Sequence, residues 1–136
     1  MLKLIIGVKG TGKTKSLINM VNTAVDNSHG DVVCIEKGVK LRYDVKYQAR
    51  LIDTNEYFIS DAQSLYGFVA GILASNHDVM DLFIDSALKI SGDDVAAWVE
   101  FMVRLEKLCA KYEVQCVCTS SIDQADLPKV LEQYVF

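Results

Sequence analysis

The stretch "GVKGTGKT", residues 7–14, is the strongest indication of the fold in this sequence. It holds three of the 8 glycines in a chain of 136 residues, and it follows the spacing G-x-x-x-x-G-K-[ST]. The residues before it, "LKLIIG", are short, apolar and β-branched, as in a buried parallel strand. The residues after it, "KTKSLINMVNTAVDN", carry apolar side chains at helical spacing. The order strand, glycine loop, helix is therefore predicted.

This loop has the composition of a site that binds phosphate. Glycines let successive backbone N–H groups turn toward phosphate oxygens, and the following helix adds the positive end of its dipole. Lys13 would bring a cation to the β- and γ-phosphates, and the Thr14 hydroxyl would ligate Mg²⁺. The residues predicted to bind the nucleotide here are Gly7, Lys9, Gly10, Thr11, Gly12, Lys13, Thr14 and Lys15.

A later strand would complete the metal site. The apolar run "VMDLFID" closes on Asp85, whose carboxylate would hold Mg²⁺ together with Thr14. Ligands of α/β sheets bind at the carboxyl ends of the strands. We therefore expect the glycine loop and Asp85 at the ends of two neighbouring parallel strands.

On "GVKGTGKT" and "LFID" the chain resembles the P-loop NTPase superfamily. Its "CVCTSS" strand is similar to the sensor strand of the RecA-like and AAA-like branch, which implies that Thr119, or Ser120 or Ser121, monitors the terminal phosphate. Hydroxyls that cap the next turn explain the same residues equally well. Many hydrolysing members of that branch carry Glu directly after the Asp, whereas this chain has Ser86.

Two catalytic residues are predicted on this basis. Lys13 would neutralise charge on the terminal phosphates, and Glu36, at the end of the strand "DVVCIE", would activate the attacking water. A charge-stabilising arginine would come from this chain or a neighbouring subunit. Arg42, Arg50 and Arg104 are the candidates, and the sequence does not rank them.

The predicted fold is α/β, a single domain over residues 1–136. It is a three-layer P-loop NTPase-type sandwich with a mainly parallel sheet of four to five core strands. Residues 39–47, "VKLRYDVKY", alternate apolar and charged side chains and predict a half-exposed strand, in a small β insertion near residues 38–53. Helices are predicted after a cap at Ser60 or Asp61, after a capping box of Ser91 and Asp94, and after Pro128, with a last strand at "QYVF".

Composition and charge narrow the function classes. A net charge of −4 and a pI near 5.1 argue against a nucleic-acid partner. The chain has no run of 18 apolar residues, so membrane insertion is not predicted. The amino-terminal apolar stretch is too short for a leader, and a cytoplasmic location is therefore expected. The four cysteines lack CxxC spacing and are predicted to be buried free thiols: Cys34, Cys109, Cys116 and Cys118.

Three functions are compatible with these patterns. The first is a Mg²⁺-dependent ATPase that binds ATP and ADP and slowly hydrolyses the β–γ phosphoanhydride, alone, as a homo-oligomer or with a protein partner. The second is a module that senses nucleotide or assembles on ATP without turnover, consistent with Ser86. The third is a nucleoside-type kinase, which the lack of an arginine-rich segment after residue 86 disfavours.

Overall fold

Five parallel strands form the central sheet of the computed structural model, which describes residues 1–136. Their spatial order is β1-β5-β4-β2-β3, and every neighbouring pair is parallel. The α/β class and the mainly parallel sheet are therefore confirmed. The strands are β1 Leu2–Gly7, β2 Asp31–Glu36, β3 Arg50–Asp53, β4 Val79–Ile84 and β5 Gln115–Ser121.

Helices flank the sheet on both faces. The α-helices are α1 Lys13–Asn27, α2 Ala62–Ser75, α3 Ala87–Ile90 and α4 Val95–Tyr112. Short 3₁₀ turns cover Thr54–Tyr57, Gln124–Asp126 and Lys129–Tyr134, and the last of these confirms a helical segment after Pro128. None of the helices is both long enough and apolar enough to cross a membrane.

Alternating strand residues divide the interior into two cores. In β4, for example, Leu82 and Ile84 face one core and Phe83 faces the other. The large core has 27 buried residues and lies under α2, α3 and α4, whereas the small core has nine and lies under α1 and residues 37–49. The small core consists of Leu17, Val21, Val32, Cys34, Leu41, Val45, Ala49, Phe83 and Val117.

The prediction of a strand at residues 39–47 is wrong, and so is the small β insertion. These residues form consecutive turns, and the backbone N–H of Val45 donates to the carbonyl of Leu41. Leu41 and Val45 are buried while Tyr43 and Tyr47 are exposed, so the apolar side chains do not share one face. Positions four apart satisfy both strand alternation and one helical turn, which is why the pattern misled. Residues 50–53 then pair in parallel with β2 as the edge strand β3.

The predicted start of α2 is confirmed, whereas the predicted cap of α4 is corrected. Asp61 caps α2 by accepting a hydrogen bond from the Ser64 N–H at 2.7 Å. Asp94 caps α4 alone, because Ser91 is buried and donates its hydroxyl to the carbonyl of Ala87 at 2.8 Å. The predicted Ser91–Asp94 capping box is therefore wrong, since Ser91 belongs to the end of the short helix α3.

The carboxyl terminus adds one contact to the sheet rather than a strand. Val135 forms a single parallel bridge with Leu4 of β1, and the Phe136 N–H donates to the Leu4 carbonyl. The predicted strand at "QYVF" is thus reduced to a bridge on the outer edge of β1. One reason is that Lys129–Tyr134 is already committed to a 3₁₀ turn.

Candidate functional site

The glycine loop joins the carboxyl end of β1 to the first turn of α1. Gly7 has a φ of 149°, and a Cβ there would lie 2.5 Å from the Thr11 hydroxyl, so only glycine fits. Gly12 has a φ of 84° and precedes the first helical residue. The loop is also tied to the segment after β5, because the Gly7 N–H donates to the Ile122 carbonyl. The two ends of the loop therefore depend on backbone conformations that favour glycine.

The backbone N–H groups of this loop are its main chemical resource. None of the N–H groups of residues 8–12 donates a hydrogen bond within the protein. The first helical bond of α1 runs from the Ser16 N–H to the Gly12 carbonyl, and no side chain caps this helix end. Unpaired N–H groups at the positive end of a helix dipole attract an anion. The loop is thus an array of donors suited to phosphate oxygens.

The Lys13 side chain is buried along this loop. Its ammonium donates to the Val8 carbonyl at 2.9 Å and lies 3.5 Å from the Thr11 hydroxyl. The Thr11 hydroxyl in turn donates to the Val8 carbonyl at 2.8 Å. These contacts keep the cation beside the free N–H groups, so the loop presents one full positive charge and several partial ones.

Asp85 stands at the centre of a network of hydroxyl groups. The Thr14 hydroxyl lies 3.2 and 3.3 Å from its two carboxylate oxygens, and the Thr119 hydroxyl donates to it at 2.7 Å. Thr14 is on α1, Asp85 follows β4, and Thr119 is on β5. The fold therefore brings these three predicted site residues into direct contact, although they are separated by up to 105 positions in the chain.

The expectation that the loop strand and the Asp85 strand are neighbours is wrong. β5 lies between β1 and β4 and pairs with both. Since strands in a sheet are about 4.8 Å apart, β1 and β4 are separated by about 10 Å. Thr14 closes that gap because α1 returns over the sheet. The intervening strand also explains how Thr119 comes to lie against Asp85.

The hydroxyls at the end of β5 have a role that the sequence did not predict. The Ser86 N–H donates to the Thr119 hydroxyl at 2.8 Å, and the Leu88 N–H donates to the Ser120 hydroxyl at 3.3 Å. They therefore hold the start of α3, after β4, rather than a turn after β5. Ser86 has a φ of 59°, and this left-handed residue turns the chain sharply from Asp85 into α3.

A cavity of about 390 Å³ opens over these groups. Five lysines and two aspartates line it, although the whole chain has a net charge of −4. A concentration of positive charge in a cleft attracts an anionic ligand. Its charged lining residues are Lys9, Lys13, Lys15, Lys40, Lys89, Asp85 and Asp93, and the others include Gly10, Gly12, Thr14, Ser86, Thr119 and Ser121.

Lys40, Lys89 and Asp93 are the charged lining residues that the sequence analysis missed; Leu41 and Leu88 also line the cavity and were not predicted. Lys40 lies in the turns of residues 37–49, while Lys89 and Asp93 belong to α3 and the loop after it. No sequence motif marks them, because their place in the cavity depends on how those segments fold back. The three arginine candidates do not line the cavity. Arg104 instead lies over the Tyr66 ring, 3.8 Å from its centroid.

Glu36 lies at the carboxyl end of β2, beside the strand that leads to Asp85. Its side chain is buried, and its two oxygens accept hydrogen bonds from the backbone N–H groups of Lys40 at 3.1 Å and Leu41 at 3.2 Å. Burial raises its pKa, the two N–H bonds oppose that shift, and the charges of Asp85 and Asp53 add to it. Glu36 does not line the cavity, and its role as a base stays a prediction.

The residues fit Mg²⁺ bound together with a nucleotide rather than by the protein alone. Thr14 and Asp85 place oxygen atoms together on one side of the cavity, where they would serve as ligands, and Mg²⁺ usually takes one or two protein oxygens with phosphates and waters. The protein has no group of three or more His, Cys, Asp and Glu side chains that could hold a metal ion. All four cysteines are buried free thiols, as predicted.

A larger cavity of about 560 Å³ lies at the opposite end of the sheet. It is bounded by the second half of α1 and by the amino ends of β1, β4 and β5, with Met20, Met80 and Phe83 in its wall. Neither a glycine loop nor a helix amino terminus with unpaired N–H groups borders this cavity. The chemistry therefore points to the smaller, lysine-lined cavity as the functional site.

No protein-family model matches the chain, and no curated protein matches it. The class of site is defined by its geometry: a glycine loop with unpaired N–H groups at the amino end of a helix, facing a carboxylate that contacts two threonine hydroxyls.

Proposed function

We propose that the protein is a P-loop nucleotide-binding protein that binds ATP with Mg²⁺. The observation that carries this proposal is the run of unpaired backbone N–H groups at residues 8–12, beside the Lys13 ammonium. A triphosphate supplies the several anionic oxygens that such an array needs. The excess of lysines over aspartates in the cavity supports an anion of high charge.

Each site residue has a distinct part in this proposal. The loop N–H groups and Lys13 bind and orient the phosphates, and Lys13 counters the charge that develops as the terminal phosphoryl group leaves. Thr14 and Asp85 would hold Mg²⁺, which supplies further charge neutralisation when bound. Thr119 orients the Asp85 carboxylate through its 2.7 Å hydrogen bond. Lys9, Lys15 and the glycines complete the phosphate cradle.

We further propose slow hydrolysis of the β–γ bond as the activity. The proposal is supported by a cavity that brings cations and a carboxylate together at one end of the sheet. The residue directly after Asp85 is Ser86 rather than a glutamate, and we expect slow turnover for this reason. Two carboxylates are the candidates for the base: Asp93, which lines the cavity, and Glu36, whose pKa is raised and which lies at the end of the strand beside β4.

Binding without turnover is the second candidate. It is favoured by the two hydrogen bonds that already occupy the oxygens of Glu36, since they leave this carboxylate turned toward the backbone. A nucleoside-type kinase ranks third, because no arginine lines the cavity. A homo-oligomer or a protein partner fits either of the first two functions. The expected cytoplasmic location is part of the same proposal.

The test is a calorimetric titration of the full chain with ATP, ADP and GTP in the presence of Mg²⁺, with phosphate release followed in the same samples. We expect Lys13→Ala to weaken ATP binding by about 100-fold, because hydrogen bonds to charged groups contribute up to about 3 kcal/mol. Lys107→Ala, an exposed position on α4, is the matched control and should bind as the original chain does.

Three outcomes separate the candidates. Binding with phosphate release supports the ATPase, whereas tight binding without release supports the sensing module. Absence of binding to all three nucleotides, or unchanged affinity in Lys13→Ala, would overturn the proposed site.

A further inference from the structure

The segment of residues 37–49 carries Lys40 to the cavity by a set of specific contacts. Glu36 accepts from the Lys40 and Leu41 N–H groups, and the Gly38 N–H donates to the Asp53 carboxylate at 2.8 Å. The segment is therefore fixed at its first turn by two carboxylates at the ends of β2 and β3. These bonds determine where the Lys40 backbone stands relative to the glycine loop.

The other end of the same segment is fastened to α1. The Asn22 side chain donates to the Asp44 carbonyl and accepts from the Lys46 N–H, each at 2.9 Å. Lys46 also forms an ion pair with Asp26 at 2.7 Å. The helix that begins with the phosphate-binding residues thus also holds the segment that carries Lys40.

The Lys40 side chain itself is uncommitted. It is exposed at the cavity wall, and its ammonium has no carboxylate within ion-pair distance and no hydrogen bond to the protein. Its neighbour Leu41 is buried in the small core, which leaves the lysine at the surface of the cavity. A fixed backbone with a free cationic head is the arrangement that a ligand-contacting lysine requires.

We propose that Lys40 contacts the terminal phosphate of a bound nucleoside triphosphate, and that Glu36 is the positioning residue that holds Lys40 there. This inference rests on the proposed nucleotide site and deepens it. Lys40 would then be the charge-stabilising cation, a role for which the sequence analysis named only arginines, none of which lines the cavity. It would distinguish a triphosphate from a diphosphate, because the contact exists only when the third phosphate is present.

The experiment compares the affinities of the full chain for ATP and ADP with Mg²⁺. We expect Lys40→Ala to weaken ATP binding by about tenfold and ADP binding by less than about threefold, with Lys40→Arg restoring most of the difference. Lys37→Ala is the matched control, since Lys37 is exposed in the same segment but does not line the cavity. It should leave both affinities unchanged.

Glu36→Gln separates positioning from base catalysis. A glutamine keeps one carbonyl oxygen and replaces the other with an amide that cannot accept, so one of the two backbone bonds is lost. If Glu36 positions Lys40, this variant loses ATP affinity relative to ADP, and combining it with Lys40→Ala adds little. If Glu36 is the base instead, ATP affinity is unchanged and only phosphate release falls.

The outcomes distinguish this inference from the proposal beneath it. An original chain that binds ATP, together with a Lys40→Ala variant that binds ATP equally well or loses ATP and ADP alike, overturns the Lys40 role alone. An unchanged ATP-to-ADP ratio in Glu36→Gln overturns the positioning role. An original chain that binds no nucleotide overturns both the site and this inference.

Discussion

The two faces of the sheet differ in what holds their covering layers. The large core joins α2, α3 and α4 to the sheet through 27 buried residues, whereas the small core joins α1 and residues 37–49 through nine. The small-core layer adds polar links at Asn22, Asp26 and Glu36. Lys13, Thr14 and Lys40 all belong to that layer. The comparison indicates that one face mainly stabilises the fold while the other mainly positions the groups proposed to bind phosphate.

The largest expected effect comes from truncating the large core at Trp98. This side chain is fully buried on α4, so Trp98→Ala should lower the free energy of unfolding by about 3–5 kcal/mol. Urea denaturation measures the change. Val95→Ala, on the same helix and partly exposed, should cost far less. A loss under about 1 kcal/mol in Trp98→Ala would contradict the view that this face supplies most of the stability.

An intermediate effect is expected for Leu41→Ala in the small core. Leu41 is buried, and its truncation should cost about 2–3 kcal/mol, because a smaller cluster with a turn-rich cover can collapse around the cavity. The same change should loosen the segment that carries Lys40, so the proposed preference for ATP over ADP should also fall. Tyr43→Ala, at an exposed position, is the control. Stability lost without any change in the ATP-to-ADP ratio would mean that the two layers are not functionally distinct.

The smallest effect expected is a difference in thiol exposure between the faces. Burial raises the pKa of Cys34, and the charges of Asp85 and Glu36 raise it further, so the thiolate fraction near neutral pH is very low. Cys34 faces the small core, whereas Cys109, Cys116 and Cys118 face the large core. In mild urea we expect a thiol reagent to modify Cys34 first, because the layer with fewer buried residues opens more readily.

Mass spectrometry of labelled peptides identifies which cysteine has reacted. The native protein should show almost no labelling, and the fully unfolded protein should label at all four positions. Labelling of Cys109 or Cys116 at the same rate as Cys34 would show that both layers open together.

The elements that the sequence predicted well are those in which local pattern and buried face agree. β1, the glycine loop and α1 follow one another as expected. The apolar stripe of α4, predicted at Val95, Trp98, Met102, Leu105 and Cys109, is buried except at Val95, which is exposed at the start of the helix. α3 was not predicted, because four residues are too few to show a period. Residues 39–47 were predicted as a strand, because Leu41 and Val45 fit an alternating pattern as well as a turn.

By itself, the sequence determined the position of the glycine loop between β1 and α1, the α/β class and the burial of four cysteines, since each depends on residue type and short-range period. Only the tertiary structure decided that β5 lies between β1 and β4, that Thr119 contacts Asp85, and that Lys40 lines the cavity. Those features depend on which strands pair and where a segment of turns folds back. Such long-range contacts arise from the packing of whole layers, and no local pattern of side chains encodes them.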